Sequence, residues 1–218
     1  MGVSSVTKAN GLLVLWDVDT QVDFMLPAGK LYVPGAEETA PAMRRLVDAA
    51  REAGIVHVAS ADDHELTDPE ISDEPDFRST YPPHCLRGTR GAQKIPETEQ
   101  ADPLPLALLP FPPGLVPELL AGRREILLLK KNFDVFTNPN ATAVLEALDP
   151  DEVVLFGVAT DVCDDAAIRG LLLRGRRVVF VEDAARGLDV DRTSACLADW
   201  RTRGVAFTTV ARLVDSTR

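Results

Sequence analysis

Cys163 is the residue whose surroundings best suit nucleophilic chemistry in this sequence. It follows an apolar, β-branched run over 153–158, which is typical of a strand covered on both faces. Thr160 or Asp161 is predicted to cap a helix after that strand. Cys163 would then lie in the first helical turn, where the helix dipole favours an anion and lowers the pKa of a thiol. This pattern indicates either a nucleophilic thiolate or a small cysteine packed beneath a helix.

An acid and an amine follow two other predicted strands. Asp19 follows a continuous apolar run over 11–18, and Lys130 follows a run over 125–129. An aspartate can accept a thiol proton and return it to a leaving amine, while a lysine stabilises the charged forms. The residues alone leave alternatives open, since Asp19 could cap a turn and Lys130 could be a solvated surface residue. Lys131 offers the same chemistry as Lys130.

A second group of residues has the types expected of metal ligands. Asp62 and His64 are two positions apart after another predicted strand, so they share one face of an extended segment. His84 could complete a site of two histidines and one carboxylate, and Glu70 could add a fourth ligand. This set suits zinc, iron or manganese better than calcium. His57 lies inside a predicted strand and is interpreted as a core residue.

Strand-like and helix-like patterns alternate along most of the chain. Strands are predicted over 11–18, 55–61, 125–129, 152–158, 177–182 and 205–209, and helices over 37–53, 140–148, 161–174 and 191–203. Such alternation predicts a three-layer α/β/α fold with a central, mainly parallel six-stranded sheet, formed by one domain over 1–218. Ligands of such sheets bind beyond the carboxyl ends of the strands. The candidate residues follow those ends, so the sheet is expected to bring them into one site.

The segment over 65–123 is the least regular part of the sequence. It is rich in proline, glycine and acidic residues, and is predicted to be mostly loop with short helical turns. A loop of this length in a compact domain is usually functional, so we interpret the segment as a lid region. Phe24 and Tyr81 are candidate aromatic walls for a flat substrate, with ordinary core packing as the alternative.

The charge and cysteine content argue against several classes of partner. The 218 residues include 34 acidic and 23 basic side chains, and the net charge is −11. This balance argues against nucleic acids and anionic membranes as partners. Three cysteines without a framework spacing fit a reducing compartment, and the polar start at 1–10 differs from a signal peptide. We therefore expect a cytoplasmic protein, and leave a homo-oligomer open.

Several short motifs occur in one order along the chain. They are Asp19-x-Gln-x-Asp-Phe24, Asp62-x-His64, Pro82-Pro-His-Cys85 with Gly88-Thr-x-Gly-Ala92, Lys130 ahead of Phe136, and Gly157-Val-Ala-Thr-Asp-Val-Cys163. Together they resemble the isochorismatase-like cysteine hydrolases, over nearly the whole chain. The Asp-x-His and Pro-Pro-His-Cys motifs resemble the nicotinamidases within that superfamily, because isochorismatase-type relatives lack the corresponding metal site.

The resemblance implies a role for each candidate residue near the cysteine. Cys163 would be the nucleophile, Asp19 the general base and Lys130 the third member of a triad. The cis peptide bond of the family would fall between Val158 and Ala159. The backbone N–H groups of Ala159 and Cys163 would form an oxyanion hole.

The resemblance also implies one divalent metal ion, zinc, iron or manganese, and no organic cofactor. Asp62, His64 and His84 would bind the metal, and Glu70 stands where some relatives have a histidine. The metal would orient a pyridine ring during hydrolysis of nicotinamide to nicotinate and ammonia through a cysteine thioester. The alternatives are an amidase of the same superfamily that acts on a carbamoyl or ureido compound, and a non-catalytic α/β protein with a structural metal site.

Overall fold

In the computed structural model, residues 12–112 and 114–214 are described, and they form one sheet of seven parallel strands in the order β3-β4-β2-β1-β5-β6-β7. The strands are β1 (Leu13–Val18), β2 (Val56–Asp62), β3 (Leu104–Leu106), β4 (Glu125–Lys130), β5 (Glu152–Val158), β6 (Arg177–Arg186) and β7 (Ala206–Thr208). The predicted fold class is confirmed, but the sheet has one strand more than the six expected.

The additional strand is β3, which lies in the segment predicted to be loop. It has three residues, includes Pro105, and pairs in parallel with β4 at the edge of the sheet. A proline cannot donate a ladder hydrogen bond, so it is tolerated only at a sheet edge. A strand this short, with a proline at its centre, carries no periodic signal, so the sequence does not predict it.

Helices cover both faces of the sheet. They are α1 (Val22–Met25), α2 (Ala40–Glu52), α3 (Leu115–Leu120), α4 (Ala141–Leu148), α5 (Asp165–Leu173), α6 (Val190–Thr202) and α7 (Val210–Val214). Buried side chains of α1, α2 and α7 pack on one face, and those of α3, α4, α5 and α6 pack on the other. Among the described residues, no helix is long and apolar enough to cross a membrane.

The central strands β1 and β5 are largely apolar because each of their faces meets a helical layer. In β1, Trp16 and Val18 pack with α3–α6, whereas Leu15 packs with α1, α2 and α7. Where β5 passes β1, Gly157 has a φ of 141°, and a Cβ there would lie 2.1 Å from the carbonyl oxygen of Val18. Only glycine allows the two strands to approach this closely next to Asp19.

Candidate active site

Four adjacent central strands end at the same edge of the sheet and carry the candidate residues there. Asp62 and Lys130 are paired in register at the ends of β2 and β4, and Asp19 follows β1 with a φ of 50°. Cys163 follows β5, which pairs with β1. A positive φ at a non-glycine residue is uncommon and is often found at functional sites. The sheet therefore brings together the residues that the sequence placed at strand ends.

Lys130 lies at the centre of this cluster and is fully buried. Its Nζ is 2.8 Å from Asp19 Oδ2, 2.5 Å from Asp62 Oδ1 and 3.8 Å from Cys163 Sγ. The other carboxylate oxygen of Asp19 accepts a 2.7 Å hydrogen bond from Ser60. A buried ammonium between two carboxylates satisfies the condition under which buried charges are tolerated.

Lys131 occupies a different position from Lys130. Its Nζ is 2.8 Å from Asp68 Oδ1 and 3.6 Å from Glu65 Oε2, and its side chain is 24% exposed. Of the two lysines that the sequence left open, Lys130 is the one that contacts the cysteine.

Burial and charge shift the pKa values of this cluster in different directions. Burial raises the pKa of the Cys163 thiol well above its usual range, although Lys130 opposes the shift. Burial likewise raises the pKa of Asp19, against the effect of Lys130. Burial alone would lower the pKa of Lys130, but Asp19 and Asp62 raise it well above its usual range. The expectation of a lowered thiol pKa is therefore wrong, because the effect of burial outweighs the opposing charge of Lys130.

Cys163 is held by a turn that differs from the predicted helix start. Residues Thr160–Asp164 form a π-helical turn, and α5 begins only after it. Ala159 is the residue before the turn, and no side chain makes a capping hydrogen bond at the start of the turn. The carboxylate of Asp161 instead accepts hydrogen bonds from the N–H groups of Leu188 and Asp189, at 2.7 and 3.2 Å. The peptide bond between Val158 and Ala159 is cis, as the resemblance implies.

Four candidate metal ligands converge beside this cluster. Asp62, His64, Glu70 and His84 are all buried, and one potential ligand atom from each lies within 4.8 Å of the others. Asp62 Oδ2 is 3.7 Å from His64 Nε2 and 3.5 Å from His84 Nε2. Glu70 Oε1 is 3.8 Å from His64 Nε2. The structure thus brings His84 and Glu70, which are distant from Asp62 along the chain, to the same point.

Surrounding groups orient these side chains in the way that metal ligands require. His84 Nδ1 is 2.7 Å from the carbonyl oxygen of Pro82, and His64 Nδ1 is 3.4 Å from Asp68 Oδ2. With Nδ1 donating in each ring, Nε2 presents its lone pair to the cluster. His64 Nε2 is buried and has no hydrogen-bond partner among the described residues. Two imidazoles and two carboxylates in this arrangement fit a divalent transition metal such as zinc, iron or manganese.

The charges within the ligand cluster shift the pKa values of its members. Burial tends to raise the pKa of Asp62, but Lys130, His64 and His84 hold it well below its usual range. Burial and the nearby Asp62 raise the pKa of Glu70. Asp62 is therefore the most persistently ionised carboxylate of the cluster.

The remaining polar residues of the first motif build the framework of the site. The side-chain amide of Gln21 donates to the carbonyl oxygen of Asp62 at 2.8 Å, and its oxygen accepts the Asp62 N–H at 2.7 Å. The carboxylate of Asp23 accepts the N–H of Cys85 at 2.7 Å. A Cβ at Gly91 would lie 2.1 Å from that carboxylate, so only glycine fits there. The motif thus fixes both the metal-ligand strand and the segment that carries His84.

A small chamber is lined by the cysteine and by three of the four candidate metal ligands, Asp62, Glu70 and His84. Phe24 and Tyr81, the two candidate aromatic walls, line it, and their rings are 5.2 and 6.3 Å from that of His84. Three further walls were not predicted, because an apolar side chain carries no signal that separates a chamber wall from ordinary core packing: Leu31, Val162 and Leu188. Ala159 also lines the chamber. The role of its N–H group in an oxyanion hole stays a prediction. His57, 4% exposed, lies outside the chamber, as a core residue should.

A parallel sheet of this topology, with a buried cysteine, acid and lysine at its carboxyl edge, defines an α/β enzyme of the hydrolase class. The isochorismatase domain matches residues 12–106 and 109–212, and the chain belongs to this family.

The nicotinamidase/pyrazinamidase of Mycobacterium tuberculosis is 31% identical over 198 residues, which cover 86% of this chain and 94% of that protein. The ureidoacrylate amidohydrolase of Agrobacterium fabrum is 26% identical over 73% of this chain and 67% of its own length. Among solved structures, the pyrazinamidase of Pyrococcus horikoshii in complex with zinc has a TM-score of 0.70 at 22% identity, over 90% of this chain and 98% of that one.

Proposed function

We propose that this protein is a nicotinamidase, which hydrolyses nicotinamide to nicotinate and ammonia through a thioester on Cys163. The chain is a hydrolase that acts on an amide, and the Mycobacterium tuberculosis relative is a nicotinamidase/pyrazinamidase. One observation carries the proposal for this chain. One carboxylate oxygen of Asp62 contacts the Lys130 ammonium, which lies beside Cys163. The other oxygen faces Nε2 of both His64 and His84. An amide held at the metal ligands would therefore lie next to the nucleophile.

The first half of the proposed reaction forms the thioester. The Cys163 thiol is protonated at rest, because burial raises its pKa, so attack on the amide carbon requires transfer of its proton. Asp19 accepts that proton, and burial suits it to the task by raising its pKa. As the C–N bond breaks, Asp19 returns the proton to the nitrogen and ammonia leaves. The N–H groups of Ala159 and Cys163 are proposed to stabilise the negative carbonyl oxygen.

The second half hydrolyses the thioester. Asp19 takes a proton from a water molecule, whose oxygen attacks the thioester carbon. The C–S bond then breaks, the sulfur regains a proton, and nicotinate is released. Lys130 remains protonated throughout, since Asp19 and Asp62 hold its pKa above its usual range against the effect of burial. Its charge would stabilise the thiolate and the carboxylate in turn.

The proposed metal site serves binding and orientation. Asp62, His64, Glu70 and His84 would hold a zinc, iron or manganese ion, which when bound supplies a Lewis acid for the pyridine nitrogen. Phe24 and Tyr81 would flank the ring and hold its carboxamide towards Cys163. Glu70 accepts the N–H of Phe133 at 2.8 Å with its other oxygen, which holds the side chain in place and supports its proposed role as a fourth ligand.

Ammonia release from nicotinamide is the direct test of this function. Protein loaded with zinc, iron or manganese should release ammonia, and prior chelation should abolish the release. The Cys163→Ala variant should lose all turnover while it keeps its fold and its metal content, measured by circular dichroism and elemental analysis. Undiminished turnover in that variant would contradict the thioester mechanism.

A second candidate function is hydrolysis of a carbamoyl or ureido compound on the same cysteine. The similarity to the Agrobacterium fabrum ureidoacrylate amidohydrolase supports it. This function would give ammonia release from a ureido substrate that is indifferent to chelation. Metal-loaded protein that is inactive on nicotinamide and active on the ureido compound would favour it over the first proposal.

A further inference from the structure

The chamber that holds Cys163 is too small for an amide substrate in the conformation of this structure. Its volume is about 20 Å³, only slightly more than the ~10–15 Å³ that one water molecule requires. Any substrate with an aromatic ring therefore reaches Cys163 only after a wall of the chamber has moved.

Two wall residues separate the chamber from a larger groove on the protein surface. This outer groove has a volume of 640 Å³ and runs along α5, and Tyr81 and Val162 line both it and the chamber. Tyr81 is 3% exposed. Burial raises the pKa of its hydroxyl to about 12, and both Cys163 and Arg192 act on it. Tyr81 thus stands between the nucleophile and the groove.

Tyr81 ends a segment whose tip is a compact turn. The carboxylate of Asp76 accepts the N–H groups of Arg78, Ser79 and Thr80, at 2.8 to 2.9 Å. The ring of Phe77 is 6.3 Å from that of Tyr81, edge to face. The turn over 76–80 is therefore a compact unit packed against the ring of Tyr81. The backbone of Tyr81 is anchored separately, since its N–H donates to the carbonyl oxygen of Glu70 at 2.8 Å and its own carbonyl oxygen accepts the N–H of Ser72 at 2.9 Å.

Arg192, on α6, joins this tip to the turn that carries the nucleophile. Its Nη1 donates a 3.1 Å hydrogen bond to the carbonyl oxygen of Phe77, and its Nη2 is 3.0 Å from Asp161 Oδ2. The Asp161 side chain is fully buried, two positions before Cys163, whereas that of Arg192 is 44% exposed. The Asp161 carboxylate is also held by the N–H groups of Leu188 and Asp189, so it keeps its position at the turn.

We propose that Arg192 is a positioning residue that latches the segment over 76–81 closed, and that the outer groove is the route by which the amide substrate reaches Cys163. Release of the Phe77 carbonyl frees the tip, the ring of Tyr81 rotates outwards on its anchored backbone, and the chamber joins the groove. Re-formation of the latch presses Tyr81 back against the bound ring. The proposal concerns the same site as the proposed function, but the movement does not depend on which amide is hydrolysed.

Alkylation of Cys163 by iodoacetamide tests the latch without any substrate. In metal-loaded protein, the Arg192→Met variant should be alkylated at Cys163 about fivefold faster than the unaltered chain, the size expected when a half-exposed charged contact is lost. Mass spectrometry of the Cys163 peptide gives the rate. Cys196, half-buried one turn from Arg192 on α6, serves as a check on that helix, and a rise in its rate equal to that of Cys163 would indicate general loosening and overturn the latch.

Two further variants separate the latch from general stability. Arg192→Lys keeps a cation beside the buried Asp161 but loses the planar fork that reaches two partners at once. It should melt at the temperature of the unaltered chain and still speed the alkylation of Cys163. Arg201, on the same helix, pairs with Glu182 at 3.2 Å, away from the groove. Arg201→Met should leave the rate unchanged. Equal Cys163 rates in the Arg192 and Arg201 variants would overturn the latch.

Turnover supplies the second readout for the latch. On nicotinamide, Arg192→Met should raise KM about fivefold and change kcat by less than about twofold, because the latch holds substrate and transition state alike. A fall in kcat at constant KM would overturn the assignment. If nicotinamide is not hydrolysed by any of these proteins, the proposed function fails while the alkylation rates still decide the latch.

Discussion

At the scale of single residues, Lys130 is the group on which the other charges of the site depend. It is fully buried between the carboxylates of Asp19 and Asp62, and its Nζ is 3.8 Å from Cys163 Sγ. Without it, two carboxylates would remain buried with no cation between them. Such a loss is more damaging than the loss of a surface charge, since a buried charge without its partner is strongly destabilising.

Replacement of the two neighbouring lysines should therefore have different results. Lys130→Met should abolish turnover and lower the free energy of unfolding by about 3–5 kcal/mol, the range for breaking a buried ion pair. Lys131→Met removes a partly exposed contact with Asp68 and should lower the free energy of unfolding by about 1 kcal/mol or less. Urea denaturation and ammonia release measure both effects. Equal losses in the two variants would contradict the assignment of Lys130 to the site.

The sequence predicts the placement of Cys163, Asp19 and Lys130 because each follows an apolar strand, and parallel strands end at one edge of a sheet. It does not predict the protonation state of the thiol. That state depends on how completely the lid segment and the helices bury Cys163, and burial arises from residues distant in the chain. The walls Leu31 and Leu188 are unpredictable for the same reason.

At the scale of elements, the close approach of β1 and β5 positions Asp19 relative to Cys163. Gly157 makes this approach possible, since a Cβ there would lie 2.1 Å from Val18 O. The backbone atoms of a central strand cannot move aside as the end of a flexible side chain can. The contact is therefore a strict steric constraint at the base of the site.

Replacing each of two glycines of positive φ by alanine should separate the cost of the strand contact from the cost of backbone strain. Gly88→Ala places a methyl group in open space and should lower the free energy of unfolding by about 1 kcal/mol, the cost of the left-handed backbone. Gly157→Ala adds a collision with the Val18 carbonyl and should cost more than about 3 kcal/mol, with loss of turnover. Thermal and urea denaturation give both values. Similar losses would show that the strand contact can relax.

The same scale explains which elements the sequence could not reveal. Long buried strands and the amphipathic α2 have clear periodic patterns, and the structure contains them. The strand β3 has three residues with Pro105 at its centre, so its pairing with β4 depends on tertiary context alone. The π-helical turn over Thr160–Asp164 has no sequence signature that separates it from the start of an α-helix.

At the scale of the whole molecule, the candidate metal site joins the sheet to the segment over 65–123, which the sequence predicts to be a lid region. Asp62 lies at the end of β2, whereas Glu70 and His84 belong to the segment over 65–123. None of these ligands belongs to the two hydrophobic clusters that pack on the faces of the sheet. A bound metal should therefore stabilise the closed lid more than it stabilises the core.

Chelation should accordingly have a graded effect on this protein. Activity on nicotinamide should disappear, and the melting temperature should fall by a few degrees, while circular dichroism at 25 °C should stay that of the folded chain. Limited proteolysis should then cut within 65–85, and added zinc or manganese should restore protection. Complete unfolding on chelation would instead indicate a structural metal site and a non-catalytic protein.

The two edge strands of the sheet have a consequence for self-association. β3 and β7 have three residues each, and β3 includes a proline. Such edges offer a neighbouring chain few unpaired backbone groups, which disfavours open-ended strand addition and fibril growth from the native state. Closed assemblies of this protein should therefore be built through side chains of the helical layers and loops, so that each subunit keeps a complete sheet of its own.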